Sequence, residues 1–154
     1  MNELCREVLR RLVGKTLVTA ESCTGGGIGA ALTAIPGSSA IYKGGVISYC
    51  NEIKEKILGV SREVLEQHGA VSAPVAEMMA CGVRKLCYAD IAVSVTGLAG
   101  PDGDEFGNPV GTVFVGYADC RTAATREFHF DGDRESVRNQ AIAEALNLIL
   151  EYNP

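Results

Sequence analysis

The chain has 154 residues, 47% of them hydrophobic and 21% charged, so it can bury a normal core and is not disordered. Its net charge of −5 excludes a general nucleic-acid binder, which needs a basic face, but not a protein that binds a small phosphorylated ligand. No apolar run approaches the roughly 20 residues of a membrane span, and the first twelve residues do not resemble a signal peptide. We therefore expect a cytoplasmic protein that contacts neither nucleic acid nor membrane.

The first third of the chain predicts a helix, a strand and a second helix. Apolar residues at helical spacing in residues 4–12 predict an opening helix that ends near Gly14. Residues 17–20 are typical of a short buried strand. A glycine-rich turn follows, and residues 28–34 predict a helix that stops at Pro36.

The middle of the chain predicts a strand followed by three helices. Residues 45–49 are typical of a strand. Asn51 and Ser61 are each placed to cap a short helix, and Ser72 precedes a longer one with proline in its first turn.

The last third predicts three strands and a final helix. Residues 91–96 indicate a buried strand, and a long loop rich in glycine and proline occupies residues 97–111. Residues 113–118 and 125–130 indicate two further strands, which are connected too closely for parallel crossovers and should be antiparallel. Asp131 and Asp133 are candidate caps for the closing helix.

These elements predict an α/β fold with a single domain over residues 1–154. We expect a three-layer sandwich, in which helices cover both faces of a mixed parallel and antiparallel sheet. No linker, internal repeat or second domain is visible in the sequence.

The first candidate site is the segment TAESCTGG at residues 19–26. A serine between a strand end and a glycine-rich helix start lies beside backbone N–H groups that could hold an anion or a reaction oxyanion. Ser22 or Thr24 could equally be a helix cap. Cys23 is a rival nucleophile, because a helix N-terminus lowers a thiol pKa, although no histidine is near it in sequence.

The second candidate site is the segment YCNEIK at residues 49–54, which follows a predicted strand. A serine nucleophile needs a base, and the two histidines, His68 and His129, have the surroundings of surface or structural residues. A desolvated lysine can serve instead, since burial lowers its pKa. Lys54 is the candidate, although this segment taken alone favours an ordinary exposed lysine.

The third candidate site is the loop of residues 97–111, which leaves a predicted buried strand and suits a ligand-binding wall. It has neither a Walker A motif nor a dinucleotide fingerprint. Asp102, Asp104 and Glu105 could suggest a metal, but the loop lacks the full EF-hand pattern and we favour solvated turn carboxylates. The six cysteines form no C-x-x-C pair, which favours reduced thiols, most of them buried.

Six stretches together resemble the CinA C-terminal domain family, the nicotinamide-nucleotide amidohydrolases. They run in family order over nearly the whole chain: TAESCTGG, IPGSSAIYKGGVISYCNEIKEKILGV, VSAPVAEMMA, AVSVTGLAGPDG, NPVGTVFVG and FDGDRESVRNQA. The resemblance implies hydrolysis of nicotinamide mononucleotide to nicotinate mononucleotide and ammonia, within NAD metabolism. It also implies a Ser/Lys mechanism without metal or cofactor, and a homodimer.

The resemblance further implies roles for residues that match the family motifs. Ser22 is expected to be the nucleophile and Lys54 its general base, and Tyr49 is expected to hydrogen-bond to one or both of them. Expected contacts to the substrate, including its phosphate, are Thr24, Gly25, Gly26, Ser38, Ser39, Thr96, Gly97 and Arg138.

The sequence departs from the family pattern beside the expected pocket. Asp104 stands where the family often has glycine, and Asn108 where it often has lysine, so the local charge is more negative and we expect weaker binding of a phosphorylated substrate. Cys50 replaces a frequent serine. Two alternatives stay open at this point: a non-catalytic module that binds pyridine nucleotides, with a role in competence or DNA damage, and a hydrolase with Cys23 as nucleophile.

Overall fold

The computed structural model describes residues 1–154 and contains one five-stranded sheet with helices on both faces. The elements in chain order are α1 (Asn2–Arg11), β1 (Leu17–Glu21), α2 (Gly27–Thr33), a 3₁₀ turn (Ser38–Ala40), β2 (Tyr42–Ile47), α3 (Asn51–Lys56), α4 (Arg62–His68), α5 (Ala73–Cys87), β3 (Ile91–Gly97), β4 (Thr112–Ala118), β5 (Ala123–His129) and α6 (Arg134–Tyr152). The predicted α/β class with a mixed sheet is confirmed.

The sheet has the strand order β2-β1-β3-β4-β5. Strands β2, β1 and β3 are parallel, whereas β4 and β5 are antiparallel to their neighbours, as the short connections predicted. Because the three parallel strands end at the same edge, the segments that follow β1, β2 and β3 meet there. In open α/β sheets this edge is the usual place for a ligand.

The side chains of each buried strand alternate between two cores. Leu17, Val93 and Val95 belong to the core under α1, α2 and α6. Val18 and Ala92 belong to the second core, under α4 and α5. Each face of the sheet is thereby covered by helices, which is the predicted three-layer arrangement.

Helix α5 approaches the sheet closely because one strand residue has no side chain. A Cβ at Gly116 would lie 2.4 Å from the carbonyl oxygen of Ala76, in the first turn of α5. The hydroxyl of Ser94 donates a hydrogen bond to the same oxygen at 2.5 Å. This contact fixes the start of α5, and with it the preceding segment that forms one wall of the candidate site.

Strand β2 begins earlier than the sequence predicted. It covers Tyr42–Ile47 instead of residues 45–49, so Ser48 and Tyr49 lie beyond the strand end. Glycine pairs are unfavourable inside strands, so the sequence did not indicate that β2 begins before Gly44 and Gly45. Gly45 is required there because a Cβ would lie 2.2 Å from Thr19 Oγ1 on the neighbouring strand.

No helix has the combination of length and apolar character that crossing a bilayer requires.

Candidate active site

Ser22 lies directly after β1, in a tight turn that leads into α2. The Ser22 carbonyl accepts a hydrogen bond from Gly25 N at 3.0 Å, and the Thr24 carbonyl accepts one from Gly27 N at 2.9 Å. Gly25 and Gly26 have φ values of +59° and +96°, a conformation that glycine adopts without strain. The glycines of this motif therefore let the chain reverse direction immediately after Ser22.

A buried carboxylate holds this turn from within. Glu21 is 2% exposed and accepts hydrogen bonds from Ile28 N at 2.8 Å and Gly29 N at 3.1 Å, in the first turn of α2. Its oxygens also accept from the hydroxyl of Thr24 at 2.7 Å and that of Thr19 at 3.2 Å. Glu21 is thus the helix cap that the sequence analysis sought in Ser22 or Thr24. Its position immediately before Ser22 was the only signal in the sequence.

Lys54 reaches Ser22 from α3, at the end of the neighbouring strand. Its Nζ donates hydrogen bonds to Ser22 Oγ at 2.9 Å and to the Ser48 carbonyl at 2.6 Å. Lys54 is 1% exposed and makes no salt bridge. The lysine is therefore buried beside a serine hydroxyl without a carboxylate to neutralise it.

Burial changes the pKa of the candidate base, Lys54, and of the rival nucleophile, Cys23. Desolvation lowers the pKa of Lys54 to about 8, because the charged ammonium loses its water. Desolvation raises the pKa of the Cys23 thiol to about 11. An amine with a pKa near 8 can exchange protons at neutral pH, whereas a thiol with a pKa near 11 supplies almost no thiolate. The electrostatics favour Ser22 over Cys23 as the nucleophile.

Ser22 and Lys54 open onto a cavity of about 260 Å³ at the edge where the parallel strands end. The neighbouring wall contains Thr96 and Gly97 from β3, and Leu98, Ala99 and Gly100 from the loop after it. The charged side chains of the lining are Lys54, Asp102 and Arg134. Sequence reasoning did not identify Arg134, and the motif FDGDRESVRNQA was the available signal.

Tyr49 lines the same cavity but does not contact the two central residues. Its hydroxyl accepts a hydrogen bond from Arg134 Nη2 at 3.0 Å, and Arg134 Nη1 donates to the Gly100 carbonyl at 2.7 Å. The expected hydrogen bond from Tyr49 to Ser22 or Lys54 is absent from the structure. The reason is that β2 ends at Ile47, which leaves Tyr49 exposed on the rim.

Of the residues expected to contact substrate, Thr96 and Gly97 line the cavity and six others do not. Thr24 is fully buried, and its hydroxyl is bonded to Glu21. Gly25 and Gly26 form the turn, and the second and third N–H groups of α2 donate to the Glu21 carboxylate. The N–H groups of Ile28 and Gly29 are therefore unavailable for the phosphate contact that the sequence predicted at this helix start.

Ser38 and Ser39 lie at the opposite edge of the sheet. They form the 3₁₀ turn that precedes β2, and Tyr42, at the start of β2, pairs with Leu17, at the start of β1. One strand length, about 13 Å, separates this edge from the one that carries Ser22. Within one chain these serines are not brought to the cavity.

Arg138 also lies outside the cavity lining. Its Nε donates to the Cys23 carbonyl at 3.1 Å and its Nη2 to the Thr24 carbonyl at 3.0 Å. The guanidinium is half-buried and contacts the back of the turn that carries Ser22. Arg138 therefore does not lie where the sequence led us to expect it, at the substrate phosphate in the cavity.

Asp104 and Asn108, two of the three residues that depart from the family pattern, bind each other. Asp104 Oδ1 accepts from Asn108 N at 2.9 Å and from Phe106 N at 3.1 Å, and its Oδ2 accepts from Asn108 Nδ2 at 2.8 Å. Asn108 Nδ2 also donates to the Val71 carbonyl at 3.2 Å. The Asp104 carboxylate therefore organises its own loop and does not line the cavity, which removes the main reason to expect weakened substrate binding.

Comparison with known proteins places the chain in a family. The CinA C-terminal domain family matches residues 1–153. A CinA-like protein from Synechococcus sp. (strain CC9311) is 52% identical over 150 residues, which are 95% of this chain and 36% of that protein. The chain belongs to the CinA C-terminal domain family, and it spans about a third of the length of this relative.

Two further relatives match along most of their own length. The nicotinamide-nucleotide amidohydrolase PncC from Escherichia coli (strain K12) is 50% identical over 137 residues, which are 88% of this chain and 83% of that enzyme. The crystal structure of a CinA superfamily protein from Klebsiella pneumoniae superposes with a TM-score of 0.95 at 40% identity, covering 97% of this chain and 95% of that one. The resemblance stated from the motifs is therefore confirmed.

Proposed function

We propose that this chain hydrolyses the carboxamide of nicotinamide mononucleotide to give nicotinate mononucleotide and ammonia. The observation that carries the proposal is the buried Lys54, whose Nζ is 2.9 Å from Ser22 Oγ at the mouth of the cavity. The 50% identity to the Escherichia coli nicotinamide-nucleotide amidohydrolase supports the choice of substrate.

The proposed first half-reaction forms an acyl-enzyme. Neutral Lys54 takes the proton of Ser22, and Ser22 Oγ forms a bond to the amide carbon while the carbonyl electron pair moves onto oxygen. When the oxyanion collapses, the C–N bond breaks and the Lys54 ammonium returns the proton to the departing nitrogen. Ammonia leaves, and the pyridine carboxyl remains as an ester on Ser22.

The proposed second half-reaction is hydrolysis of that ester. Lys54 takes a proton from water, whose oxygen attacks the ester carbon. The bond to Ser22 breaks, Lys54 returns the proton to Ser22 Oγ, and the new carboxyl group loses its remaining proton to solvent as the nicotinate nucleotide leaves. Each step uses one base and one site for the oxyanion, and the residues around Ser22 supply both.

The charges of the cavity suit the two ends of this substrate. The pyridinium ring is a cation, and Asp102 is the carboxylate among the lining residues. The phosphate is an anion, and Arg134 is the cation on the rim, where Tyr49 and the Gly100 carbonyl hold its guanidinium. We assign phosphate recognition to Arg134 because guanidinium groups bind phosphate in a bidentate way.

The test is a product assay on purified protein pretreated with a chelator. Wild type is expected to release ammonia and nicotinate mononucleotide in equal amounts, since the proposed mechanism draws on Ser22 and Lys54 and needs no metal. Folded Ser22→Ala and Lys54→Met variants should release little. Binding of the nucleotide without product would refute the proposal and favour the binding-module alternative.

Three further expectations remain predictions: a cytoplasmic location, a single domain over residues 1–154, and a homodimer. The homodimer is checked by light scattering of the purified chain, for which a monomer would be about 16.2 kDa. A dimer could bring Ser38 and Ser39 of one chain to another chain's cavity, and mutation of both serines to alanine would then affect the KM.

A further inference from the structure

Arg138 on α6 holds two successive carbonyl groups of the turn that carries Ser22. Nε donates to the Cys23 carbonyl at 3.1 Å and Nη2 to the Thr24 carbonyl at 3.0 Å, across a separation of more than 110 residues. A guanidinium is rigid and planar, so two such bonds define the orientation of both peptide groups.

The hydrogen bonds of Arg138 also determine the orientation of a peptide group at the cavity. The C=O and N–H of a trans peptide point in opposite directions. Because the Thr24 carbonyl faces Arg138, the N–H of Gly25 in the same peptide points away from it, and it donates to the Ser22 carbonyl at 3.0 Å. The Ser22 carbonyl is thereby fixed, and the N–H of Cys23, which shares that peptide, points the other way.

The Cys23 N–H is the donor that this chain of contacts leaves free. Cys23 lines the cavity together with Ser22, and no group of another residue accepts a hydrogen bond from its backbone nitrogen. A backbone N–H directly after a nucleophile at a strand-to-helix turn is well placed to stabilise an oxyanion. The positive charge of Arg138 polarises the intervening peptide groups in the direction that strengthens this donor.

We propose that Arg138 is a positioning residue for the oxyanion hole: through the Thr24 and Ser22 peptide groups it aims the Cys23 N–H at the oxygen of the scissile amide. The assignment rests on the proposed function and replaces the phosphate contact expected for Arg138 from sequence. The Cys23 N–H should bind this oxygen more strongly in the transition state, in which the oxygen becomes negative, than in the bound substrate.

The test compares Arg138→Met and Arg138→Lys with wild type on two substrates, nicotinamide mononucleotide and nicotinamide riboside, which lacks the phosphate. Loss of the oriented donor should lower kcat about 30- to 300-fold, by the same factor for both substrates, with KM changed less than about 3-fold. Lysine keeps the positive charge but lacks the rigid planar fork that orients both peptide groups, so Arg138→Lys should lose less activity than Arg138→Met. Arg134→Met, one turn earlier on α6, is the matched contrast and should raise KM for the mononucleotide alone.

Two measurements separate a positioning role from a loss of folding. The nucleotide Kd of Ser22→Ala should be unchanged when Arg138→Met is added, and the melting temperature of each variant should exceed the assay temperature. A rise of KM or Kd confined to the mononucleotide would show that Arg138 binds phosphate and would overturn the proposal. Unchanged kcat in the methionine variant would also overturn it.

A sulfonyl fluoride probe distinguishes failure of this proposal from failure of the proposed function. Ser22 Oγ attacks the sulfonyl sulfur, fluoride leaves, and the proton passes to Lys54, so the labelling rate needs no nucleotide. If wild type releases no ammonia but Ser22 is labelled, and Arg138→Met slows the labelling at least 10-fold, the substrate is wrong and the positioning role stands. If Ser22 is labelled as fast in Arg138→Met as in wild type, the positioning role is refuted. If Ser22 of wild type is not labelled at all, it is not an activated nucleophile, and the proposed function and the positioning role are both refuted.

Discussion

Lys54 Nζ lies 2.9 Å from Ser22 Oγ although 32 residues separate the two along the chain. The contact forms because β1 and β2 are parallel neighbours that end at the same edge of the sheet. Ser22 follows the first strand and Lys54 lies in the helix after the second. The lysine is buried without a counter-ion, and burial lowers its pKa to about 8.

The pH dependence of activity should follow Lys54. Because only the neutral amine can take the Ser22 proton, kcat/KM should increase about tenfold per pH unit below 8 and level off above it. The phosphate of the substrate titrates near 6, well separated from this limb. The measurement is a pH–rate profile between 6 and 10. Lys54→Arg cannot lose its proton and should be inactive throughout, and a profile that is flat across this range would contradict Lys54 as the base.

The stability of the fold should also depend on pH through Lys54. Its pKa is about 8 in the folded chain and 10.5 in the reference state, so the unfolded chain binds more protons between these values. The free energy of unfolding should therefore rise with pH across that window, by up to about 3 kcal/mol from this residue. Lys54→Met lacks this contribution. The free energy of unfolding of wild type and of Lys54→Met is measured by denaturant titration at pH 7 and pH 10. Relative to Lys54→Met, wild type should be more stable at pH 10 than at pH 7.

Substitution of Cys23 and alkylation of the exposed cysteines should leave activity largely intact. Burial raises the pKa of Cys23 to about 11, so Cys23→Ser should keep most of the activity while Ser22→Ala loses at least about 1000-fold. Alkylation followed by mass spectrometry should label the exposed Cys50 well before the buried Cys23. Loss of activity in parallel with Cys23 alkylation, and an inactive Cys23→Ser, would instead favour the thiol mechanism.

Removal of the Glu21 carboxylate should destabilise the fold. Glu21→Ala leaves the buried N–H of Ile28, the part-buried N–H of Gly29 and the Thr24 hydroxyl without an acceptor, which should cost about 2–4 kcal/mol. Glu21→Gln keeps one acceptor oxygen and should cost less. Urea denaturation measures both. The control is Glu3→Ala, an exposed glutamate of α1 that should change stability by less than about 0.5 kcal/mol.

Asp104 and Asn108 should act as a unit. Each single alanine substitution should destabilise the loop, and the double variant should cost less than the sum, with a coupling of about 1 kcal/mol. KM should rise in all three variants, because the loop forms one wall of the cavity. A double-mutant cycle in stability and KM measures the coupling. Additive effects would show that the side chains act independently.

Some of the site was accessible from local sequence. Ser22 before the glycine pair predicted a serine at a strand-to-helix turn, either as a nucleophile or as a helix cap, and the turn is present. Strand alternation and helical spacing predicted the elements, because burial selects apolar residues at those periods. The beginning of β2 was missed because Gly44 and Gly45 are untypical of a strand interior. Glycine is required at position 45 because Thr19 lies opposite it in the register and leaves no room for a Cβ.

The sequence by itself determined the α/β class, the antiparallel end of the sheet and the family, since these depend on periodicity, connection length and motifs. Only the tertiary structure decided how the polar residues are used. Whether Glu21, Ser22 or Thr24 caps α2, and whether Arg138 contacts a substrate or a carbonyl, depends on which groups face each other after packing. Buried polar groups must find partners wherever the fold places them, and those partners are far away in sequence.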